Sequence, residues 1–335
     1  RARLDEDINA ILSTGVEAKL NTPIGTAELE EINRAYDAIY LAIGAHAEKR
    51  LGLEGEDSQH VISAVEMLRE IGDGKYPDFT GRRVIVVGGG NVAMDCARTA
   101  IRSNAKTVSI VYRRRKEDMT ALPAEVEGAI AEGIELLTLK APLRIEADEE
   151  GKARALWVQP QIIGQVRGGR PSPRKADKPE ERLECDIILM AVGQDIISQP
   201  FAEAGLATDR GRLQADVSGA LNRVGMYAGG DCVSGPATVI KAIAAGKVAA
   251  ANIDEFLGFH HMISVDVDIP EPLLNDKVPC GRVNLGEKES WARKDNSEGI
   301  EYTMSDEEAY QEASRCLRCD RHGCGVLRGG RQDRW

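Results

Sequence analysis

Short apolar runs alternate with stretches of helical spacing along most of the chain, which indicates an α/β protein. Residues 84–87 form a four-residue apolar run, typical of a buried parallel strand, and residues 107–112 form a second strand. An alanine-rich helix is predicted between them. Two further buried strands begin at Asp37 and Asp186, and each ends on small residues and a glycine, Gly44 or Gly193. This alternation of strands and helices predicts a mostly parallel sheet.

The ends of the α/β region are also marked by helical spacing. A first helix is predicted near the start of the chain, with its apolar residues on one face: Leu4, Ile8, Ile11 and Leu12. A second helix is expected around residues 27–36. A helix at 124–132 is followed by a β-rich stretch to about residue 184, with an exposed hairpin tip expected within 166–181. After residue 225, the pattern predicts a strand, a Gly-Gly-Asp turn and a long alanine-rich helix.

A glycine-rich turn directly follows the strand at residues 84–87. The pattern Gly88-x-Gly90-x-x-Ala93 fits a dinucleotide-binding fingerprint, whose glycines let the backbone approach a pyrophosphate while the next helix aims unpaired N–H groups at it. Many bare matches are ordinary tight turns, but the strand before and the helix after are both predicted here, which supports the motif. The candidate nucleotide-binding residues of this turn are Gly88, Gly90, Asn91, Val92 and Ala93.

The strand at residues 107–112 ends in three arginines. An NAD-binding site has an acidic residue here for the ribose 2′-hydroxyl, whereas a guanidinium group suits a 2′-phosphate. Arg113 and Arg114 therefore predict an NADP(H) site. The alternative interpretation is a solvated basic strand end.

Length, charge and aromatic content narrow the classes of partner. A chain of 335 residues suggests about two domains. The net charge of −11 and an aromatic content of 4% disfavour nucleic-acid and anionic membrane surfaces as partners. No apolar run approaches the ~20 residues needed to span a bilayer, and no signal peptide precedes Arg1. We expect a cytoplasmic protein.

The seven cysteines do not resemble a disulfide framework. Cys96, Cys185 and Cys232 lie in apolar or turn segments, where buried free thiols are common. The other four lie in the polar C-terminal tail, and three of these fall within nine residues. Such clustering favours a metal site over oxidative folding.

The three clustered cysteines, Cys316, Cys319 and Cys324, have the spacing C-x2-C-x4-C. Cys280 is the remaining cysteine of the tail and the candidate fourth ligand. A 4Fe–4S cluster bound by four thiolates is the favoured interpretation. A zinc site using His322 with the three clustered cysteines, or a terminus without metal, are the alternatives.

Several motifs, in order, resemble the small (beta) subunit of NADPH-dependent glutamate synthase and its relatives, which include subunits of electron-bifurcating transhydrogenases. The resemblance spans roughly residues 1–257. It rests on AIGAH at 42–46, GGGNVAMDCARTA at 88–100, YRRR at 112–115, E-x-x-x-A-x-x-E-G at 125–133, AVGQ at 191–194 and YAGGDCVSGPATVIKAIAAG at 227–246. The clustered cysteines also have a spacing similar to that of the family's cluster motif.

The resemblance implies two Rossmann-like domains, with an NADPH domain inserted into an FAD domain. The predicted domains are the FAD domain at 1–78, the NADPH domain at 79–190, the return to the FAD domain at 191–259, and an irregular cysteine-containing tail at 260–335. Family members open with a glycine fingerprint for FAD. None is present before Asp37, so we expect the chain to be a fragment of a longer protein.

The resemblance also implies cofactor-binding roles for the two small-x-Gly turns and the Gly-Gly-Asp turn. Gly44 and Gly193 would flank the inserted domain. Gly230 and Asp231 would contact the ribityl and phosphate groups of FAD, and the helix that follows Ala237 and Thr238 would point its N-terminus at the flavin.

The expected activity is that of a flavoprotein oxidoreductase subunit. It would pass electrons between NADPH and iron–sulfur centres or a redox partner subunit through FAD, in a hetero-oligomer. The partner would be a glutamate synthase large subunit, a ferredoxin-type protein or another iron–sulfur protein. The alternative is an NADP-binding or iron–sulfur scaffold subunit without a complete flavin site. No acid–base residue is named, because hydride transfer to flavin depends on positioning. Thioredoxin reductase activity is disfavoured because Cys96 has no C-x-x-C partner.

Overall fold

The computed structural model describes residues 2–167, 170–261 and 280–315. Two compact units are present in these ranges. The first combines the residues up to Ala45 with those from Ile196 onward to 261, and the second combines His46–Asp195 with residues 280–315.

The elements of the described residues follow the predicted alternation. The α-helices are α1 Ala2–Leu12, α2 Thr26–Ala35, α3 Ala64–Gly72, α4 Asn91–Arg102, α5 Pro123–Ala131, α6 Gln199–Glu203, α7 Asp231–Ser234, α8 Val239–Phe256, α9 Ser290–Arg293 and α10 Asp306–Ser314. The strands are β1 Ile39–Leu41, β2 Ala47–Glu48, β3 Val61–Ser63, β4 Arg83–Val87, β5 Thr107–Tyr112, β6 Glu135–Thr138, β7 Lys140–Ala147, β8 Ala153–Arg167, β9 Arg170–Lys175, β10 Glu181–Glu184, β11 Ile187–Met190, β12 Gln194–Asp195, β13 Thr208–Asp209, β14 Arg212–Leu213 and β15 Met226–Ala228.

A five-stranded parallel sheet forms the centre of the second unit, in the order β3-β11-β4-β5-β6. Both of its faces are covered. Val84 and Val86 of β4 pack with buried side chains of α3, α4 and α5, whereas Ile85 and Val87 point the other way and pack with buried side chains of β7 and β8. Burial on both faces explains the unbroken apolar run of β4.

The strand order creates a switch point at the carboxyl end of β4. β5 and β6 extend the sheet on one side of β4, and β11 extends it on the other. In open parallel sheets, ligands bind in the crevice outside such a point. The glycine-rich turn that follows β4 occupies this position.

An antiparallel sheet of β7, β8, β9 and β10 covers one face of the parallel sheet, and the predicted hairpin is its β8–β9 pair. The expected hairpin tip includes residues 168 and 169, which lie outside the described residues. Among the helices of the described ranges, none combines enough length and apolar character to cross a bilayer.

The first unit is built around the parallel pair β1–β15. Leu29 of α2, Leu41 of β1 and Met226 of β15 are buried in its core. Two of its helices present apolar side chains to the surface. α1 forms as predicted but buries none of its residues, and Val239 and Ile240 near the start of α8 are more than three-quarters exposed.

The compact units do not begin and end at the predicted domain boundaries. β3 pairs with β11, so residues 46–78 group with the parallel sheet and not with residues 1–45. β12 pairs with β2, which puts the second boundary after Asp195. Which nucleotide each unit binds remains a prediction.

The C-terminal segment is more regular than expected. Within residues 280–315, α9 and α10 are helical, and Lys288 N donates to Ile300 O at 2.8 Å in a short antiparallel arrangement. The tail, expected to be irregular, contains these two short helices within the described residues. A capping box at Ser305 starts α10, in which the Ser305 side chain accepts from Glu308 N at 3.2 Å.

Candidate functional site

The glycine turn after β4 is tightly packed against neighbouring backbone. Gly88 has a φ of +151°, and a Cβ there would lie 2.2 Å from the carbonyl oxygen of Ala191, which follows β11. A Cβ on Gly89 would lie 2.5 Å from the ring of Tyr112. Since neither position can hold a side chain without a shift, only glycines fit this turn. The fingerprint is therefore formed in three dimensions as well as in sequence.

Hydrogen bonds from the loop at residues 120–122 also hold this turn. Thr120 N and Ala121 N both donate to Gly89 O, at 3.0 and 3.1 Å. Asn91 Oδ1 accepts from Leu122 N at 2.9 Å, so the side chain of Asn91 serves the structure of the turn. Asn91 begins α4, and the first N–H groups of a helix have no intrahelical partner.

The remaining fingerprint residues lie in the first turn of α4. Ala93 is fully buried against the sheet, where a larger side chain would separate helix and strand. Val92 is half-buried and packs at the margin of the same core. The turn and the start of α4 thus form a close-packed cradle. Gly88 N and Ala93 N are bonded within the fold, to Val111 O and Gly90 O, and the N-terminus of α4 that remains suits a phosphate group.

Two arginines with available N–H groups stand at the end of β5. Arg113 is exposed and makes no ion pair within the described residues. Arg114 is half-buried, and its Nε donates to Pro171 O at 3.2 Å. Because neither guanidinium forms an ion pair with a carboxylate of the described residues, both are available to an anionic group beside the cradle.

The third arginine of the run has a structural role. Arg115 forms a two-point ion pair with Asp118, with Nε to Oδ2 at 2.9 Å and Nη2 to Oδ1 at 3.0 Å. This hydrogen bonding holds the pKa of Asp118 below its usual value, against the effect of burial. Tyr112 Oη donates to Asp118 O at 2.9 Å. The pair fixes the loop that leads away from β5.

The Gly-Gly-Asp turn joins β15 to two helices of the first unit. Gly230 has a φ of +75°, and a Cβ on Gly229 would lie 2.3 Å from Tyr40 Oη. Asp231 Oδ1 accepts from Ala237 N at 3.1 Å, just before Thr238 caps α8. Asp231 therefore orders the entry to α8, and its other oxygen has no partner in the described part of the chain.

The two small-x-Gly turns lie near the borders of the units, where the resemblance expects them. Gly44 has a φ of +65° and lies one residue before the division at Ala45. Gly193 has a φ of +121° and lies two residues before the division at Asp195. Their conformations require glycine, but the described residues assign neither of them a ligand contact.

Cys280 is the only candidate cluster ligand in the described residues. It is exposed and lies beside the end of α10, with Sγ 4.0 Å from Gln311 O. Two further bonds hold its neighbours to α10: Gln311 Nε2 donates to Gly281 O at 2.8 Å, and Val283 N donates to Glu312 Oε1 at 2.5 Å. Cys316, Cys319, Cys324 and the alternative ligand His322 lie outside the described residues.

A family model described as pyridine nucleotide-disulphide oxidoreductase matches residues 10–246. This match covers the glycine cradle, the arginines and the Gly-Gly-Asp turn. The chain belongs to this family.

Curated relatives of the family agree with the motif-based resemblance. The beta subunit of an NADP(+)-dependent formate dehydrogenase from Moorella thermoacetica is 35% identical, over 96% of this chain and 48% of its own length. The small chain of glutamate synthase [NADPH] from Escherichia coli strain K12 is 33% identical, over 72% of this chain and 55% of its own length. The chain thus spans about half the length of these relatives.

Solved structures agree on the fold. FprA from Mycobacterium tuberculosis, solved in complex with NADPH, has a TM-score of 0.57 at 20% identity, covering 68% of this chain and 65% of that one. The predicted α/β fold of Rossmann-like units is confirmed.

The family name includes disulphide reductases, yet the described cysteines do not form a redox pair. Cys96, Cys185, Cys232 and Cys280 are all free. Burial raises the pKa of Cys96 and of Cys185 to about 12, so both thiols stay protonated and unreactive. This agrees with the expectation that Cys96 takes no part in thiol exchange.

A buried charge cluster at the end of α5 was not predicted from the sequence, where Glu132 is only a position of the motif at 125–133. The side chain of Glu132 is fully buried and contacts three arginines, Arg98, Arg102 and Arg293. One signal for the cluster was available in the sequence. Arg98 and Arg102 are four residues apart on α4, and two cations placed in this way on an otherwise packed helix require an anion nearby.

Proposed function

We propose that this chain is the NADPH-binding part of a flavoprotein oxidoreductase subunit, resembling the small subunit of glutamate synthase. Electrons would pass from NADPH through FAD to iron–sulfur centres of a partner subunit. The observation that carries the proposal is the glycine cradle at the switch point of the sheet, followed along the next strand by two arginines that form no ion pair in the described residues. The relatives' names, which mention NADP(+) and NADPH, support the same nucleotide.

The residues of the second unit fit NADP(H). Gly88 and Gly89 allow the turn to pack against Ala191 and Tyr112, and such a close-packed glycine turn at the start of a helix suits a pyrophosphate. Arg113 and Arg114 follow β5, the strand next to the cradle, and this is where a Rossmann-type site holds the ribose of the adenosine half. When bound, the nicotinamide supplies a hydride. The protein's contribution is to bind and orient this cofactor.

The first unit fits part of an FAD site. The turn at Gly229 and Gly230 brings backbone close to β1, and Asp231 has one carboxylate oxygen available. The N-terminus of α8 follows directly, and its dipole favours negative charge on a reduced flavin. These residues would hold the ribityl and phosphate side of the cofactor.

Asp231→Leu is expected to release FAD or lower its occupancy in the native protein. The substitution removes the available oxygen and also the bond to Ala237 N that orders the start of α8. Flavin content per protein, measured from absorbance after gel filtration, checks this result. Asp209→Leu, in the exposed β13 of the same unit, is the matched control. Full flavin retention by the Asp231 variant would remove Asp231 from the proposed site.

We further propose that Cys280 joins Cys316, Cys319 and Cys324 in a 4Fe–4S cluster. The support is that Cys280 lies beside Gln311 near the end of α10, and this helix leads within two residues to Cys316. A thiolate brought to the start of a C-x2-C-x4-C motif makes a fourth ligand available to it. When bound, such a cluster accepts one electron at a time, and this is the step a nicotinamide cannot perform.

Cys319→Ser should abolish the EPR signal of the reduced cluster and spare the reduction of flavin by NADPH, because nucleotide and flavin lie upstream of the cluster. The measurement uses protein purified anaerobically, with Cys96→Ser as a control that removes a buried thiol. Iron and acid-labile sulfide analysis distinguishes the alternatives. Zinc without iron would favour the site with His322, and alkylation of all tail cysteines would mean that no metal is bound.

A further inference from the structure

A buried carboxylate holds the C-terminal segment against the nucleotide-binding fold. Glu132 lies at the end of α5, and its side chain is fully buried. Arg98 Nη2 and Arg102 Nη1, both from α4, contact its two oxygens at 2.7 and 2.8 Å. Arg293, from α9 of the C-terminal segment, brings its Nε to 3.2 Å from the same carboxylate. One carboxylate is thus shared by three guanidinium groups from two distant parts of the chain.

The C-terminal segment adds one arginine and one carboxylate, Arg293 and Glu287, to this cluster. Arg98 also pairs with Glu125 at 2.6 Å, and Arg293 also pairs with Glu287. Arg293 is 4% exposed, and a charge buried to this extent is retained only with a partner. Arg293 is therefore held between Glu132 at the end of α5 and Glu287 of its own segment.

Backbone contacts extend the attachment beyond the charges. Arg102 Nη2 donates to Arg293 O at 2.9 Å, and Arg102 Nε donates to Asn296 O at 3.0 Å. Gly128 on α5 lies beside the same guanidinium groups, since a Cβ there would be in ordinary contact with Arg98, at 3.6 Å, and with Arg293 Nη2, at 3.7 Å. The segment is thus attached through backbone carbonyls as well as through charges.

The attached residues are connected to Cys280 through one folded segment. Residues 286–302 return on themselves, with Lys288 N bonded to Ile300 O and Tyr302 N bonded to Gly286 O. Residues 281–283 are bonded to α10. The attachment of Arg293 to α4 is therefore part of the same folded segment that carries Cys280 and α10.

We propose that Arg293 is a positioning residue that fixes the Cys280-bearing segment to α4, the helix whose first turn forms the phosphate cradle. α4 has 12 residues and is about 18 Å long. The N-terminus of α4 would face the nucleotide, and its C-terminal half binds the Cys280-bearing segment. The Cys280-bearing segment consequently moves with the nucleotide-binding unit. The link to a cluster rests on the proposed function, whereas the attachment itself does not.

Hydrogen exchange of the native protein tests the attachment. Arg293→Met should raise the exchange rate of amides in residues 283–302 by about 100-fold, because one charge of a buried cluster loses its partner. Arg293→Lys, which keeps the charge but loses the fork, should give a smaller increase and serves if the methionine variant does not fold. Lys288→Met removes a 2.8 Å pair with the exposed Glu298 of the same segment and should change rates less than about threefold.

The outcomes separate the attachment from the cluster. Unchanged exchange in both Arg293 variants would overturn the proposal, as would an equal increase in Lys288→Met. If wild-type protein contains iron, Arg293→Met should release it to a chelator about tenfold faster with an unchanged Kd for NADPH, and equal release would contradict the positioning role. If wild-type protein contains no iron, the proposed cluster fails while the exchange result still decides the attachment.

Discussion

Replacing both Arg113 and Arg114 with serine is expected to weaken NADPH binding by roughly 2–5 kcal/mol and to leave NADH binding almost unchanged. The reason is that the two guanidinium groups would bind only the 2′-phosphate, the group that distinguishes the two nucleotides. The structure supports this selectivity, since Arg113 makes no ion pair in the described residues and Arg114 bonds only to a backbone carbonyl. Isothermal titration with each nucleotide measures the effect directly.

The control for this experiment is an arginine of the same unit that pairs only at the surface. Arg69→Ser on α3 removes an ion pair with Glu66, and the side chains of both Arg69 and Glu66 are more than half exposed. It should leave both affinities unchanged. A wild-type protein that binds NADPH and NADH equally well would contradict the assignment of the arginines before any substitution is made.

Gly88→Ala is expected to destabilise the second unit and to abolish most of its nucleotide binding. The new Cβ would lie 2.2 Å from Ala191 O, a backbone atom that cannot move without separating β4 from β11. Overpacking of this kind costs about 1–3 kcal/mol and occasionally more. Since the same movement opens the cradle, we expect NADPH affinity to fall by at least about tenfold, as measured by titration alongside urea unfolding.

Gly133→Ala isolates the steric effect from the backbone conformation. Gly133 also has a positive φ, +94°, but a Cβ there would meet nothing within 4 Å. It should cost stability through backbone strain and leave NADPH affinity intact. If both alanine variants bound NADPH equally well, close packing at Gly88 would not be a requirement of the cradle.

The sequence alone was sufficient for the central strands and the glycine turn. Residues 107–112 were predicted as a strand and are β5 with the same bounds, because a strand buried in a parallel sheet has a continuous apolar signal. The fingerprint was recognisable for a related reason. Its glycines are required by local backbone geometry, and such requirements leave their mark at fixed spacing.

Elements that depend on distant partners were harder to predict. β3 has only three residues, too few for a periodic pattern, and only its pairing with β11 assigns it to the second unit. The predicted domain boundaries therefore differ from the observed units. Arg293 and Glu132 carry the residue types of a solvated surface, and nothing local indicates that they are buried together.

Some parts of the candidate site could be predicted from the sequence and others could not. The arginines and the Gly-Gly-Asp turn were identified from residue type and position, and the structure adds which of their polar groups remain available. The position of Cys280 beside α10 could not be read from the sequence, since 31 residues separate it from Gln311. Contacts of that range arise from tertiary packing, which a linear pattern does not record.

Anaerobic titration of the native protein with NADPH, followed by visible absorbance, tests the proposed flavoprotein function most directly. We predict that bound flavin is present, that NADPH bleaches its absorbance at about one nucleotide per flavin, and that NADH does so only at much higher concentration. Tight NADPH binding to a protein without flavin, or with flavin that NADPH does not reduce, would contradict the account and favour an NADP-binding or scaffold subunit.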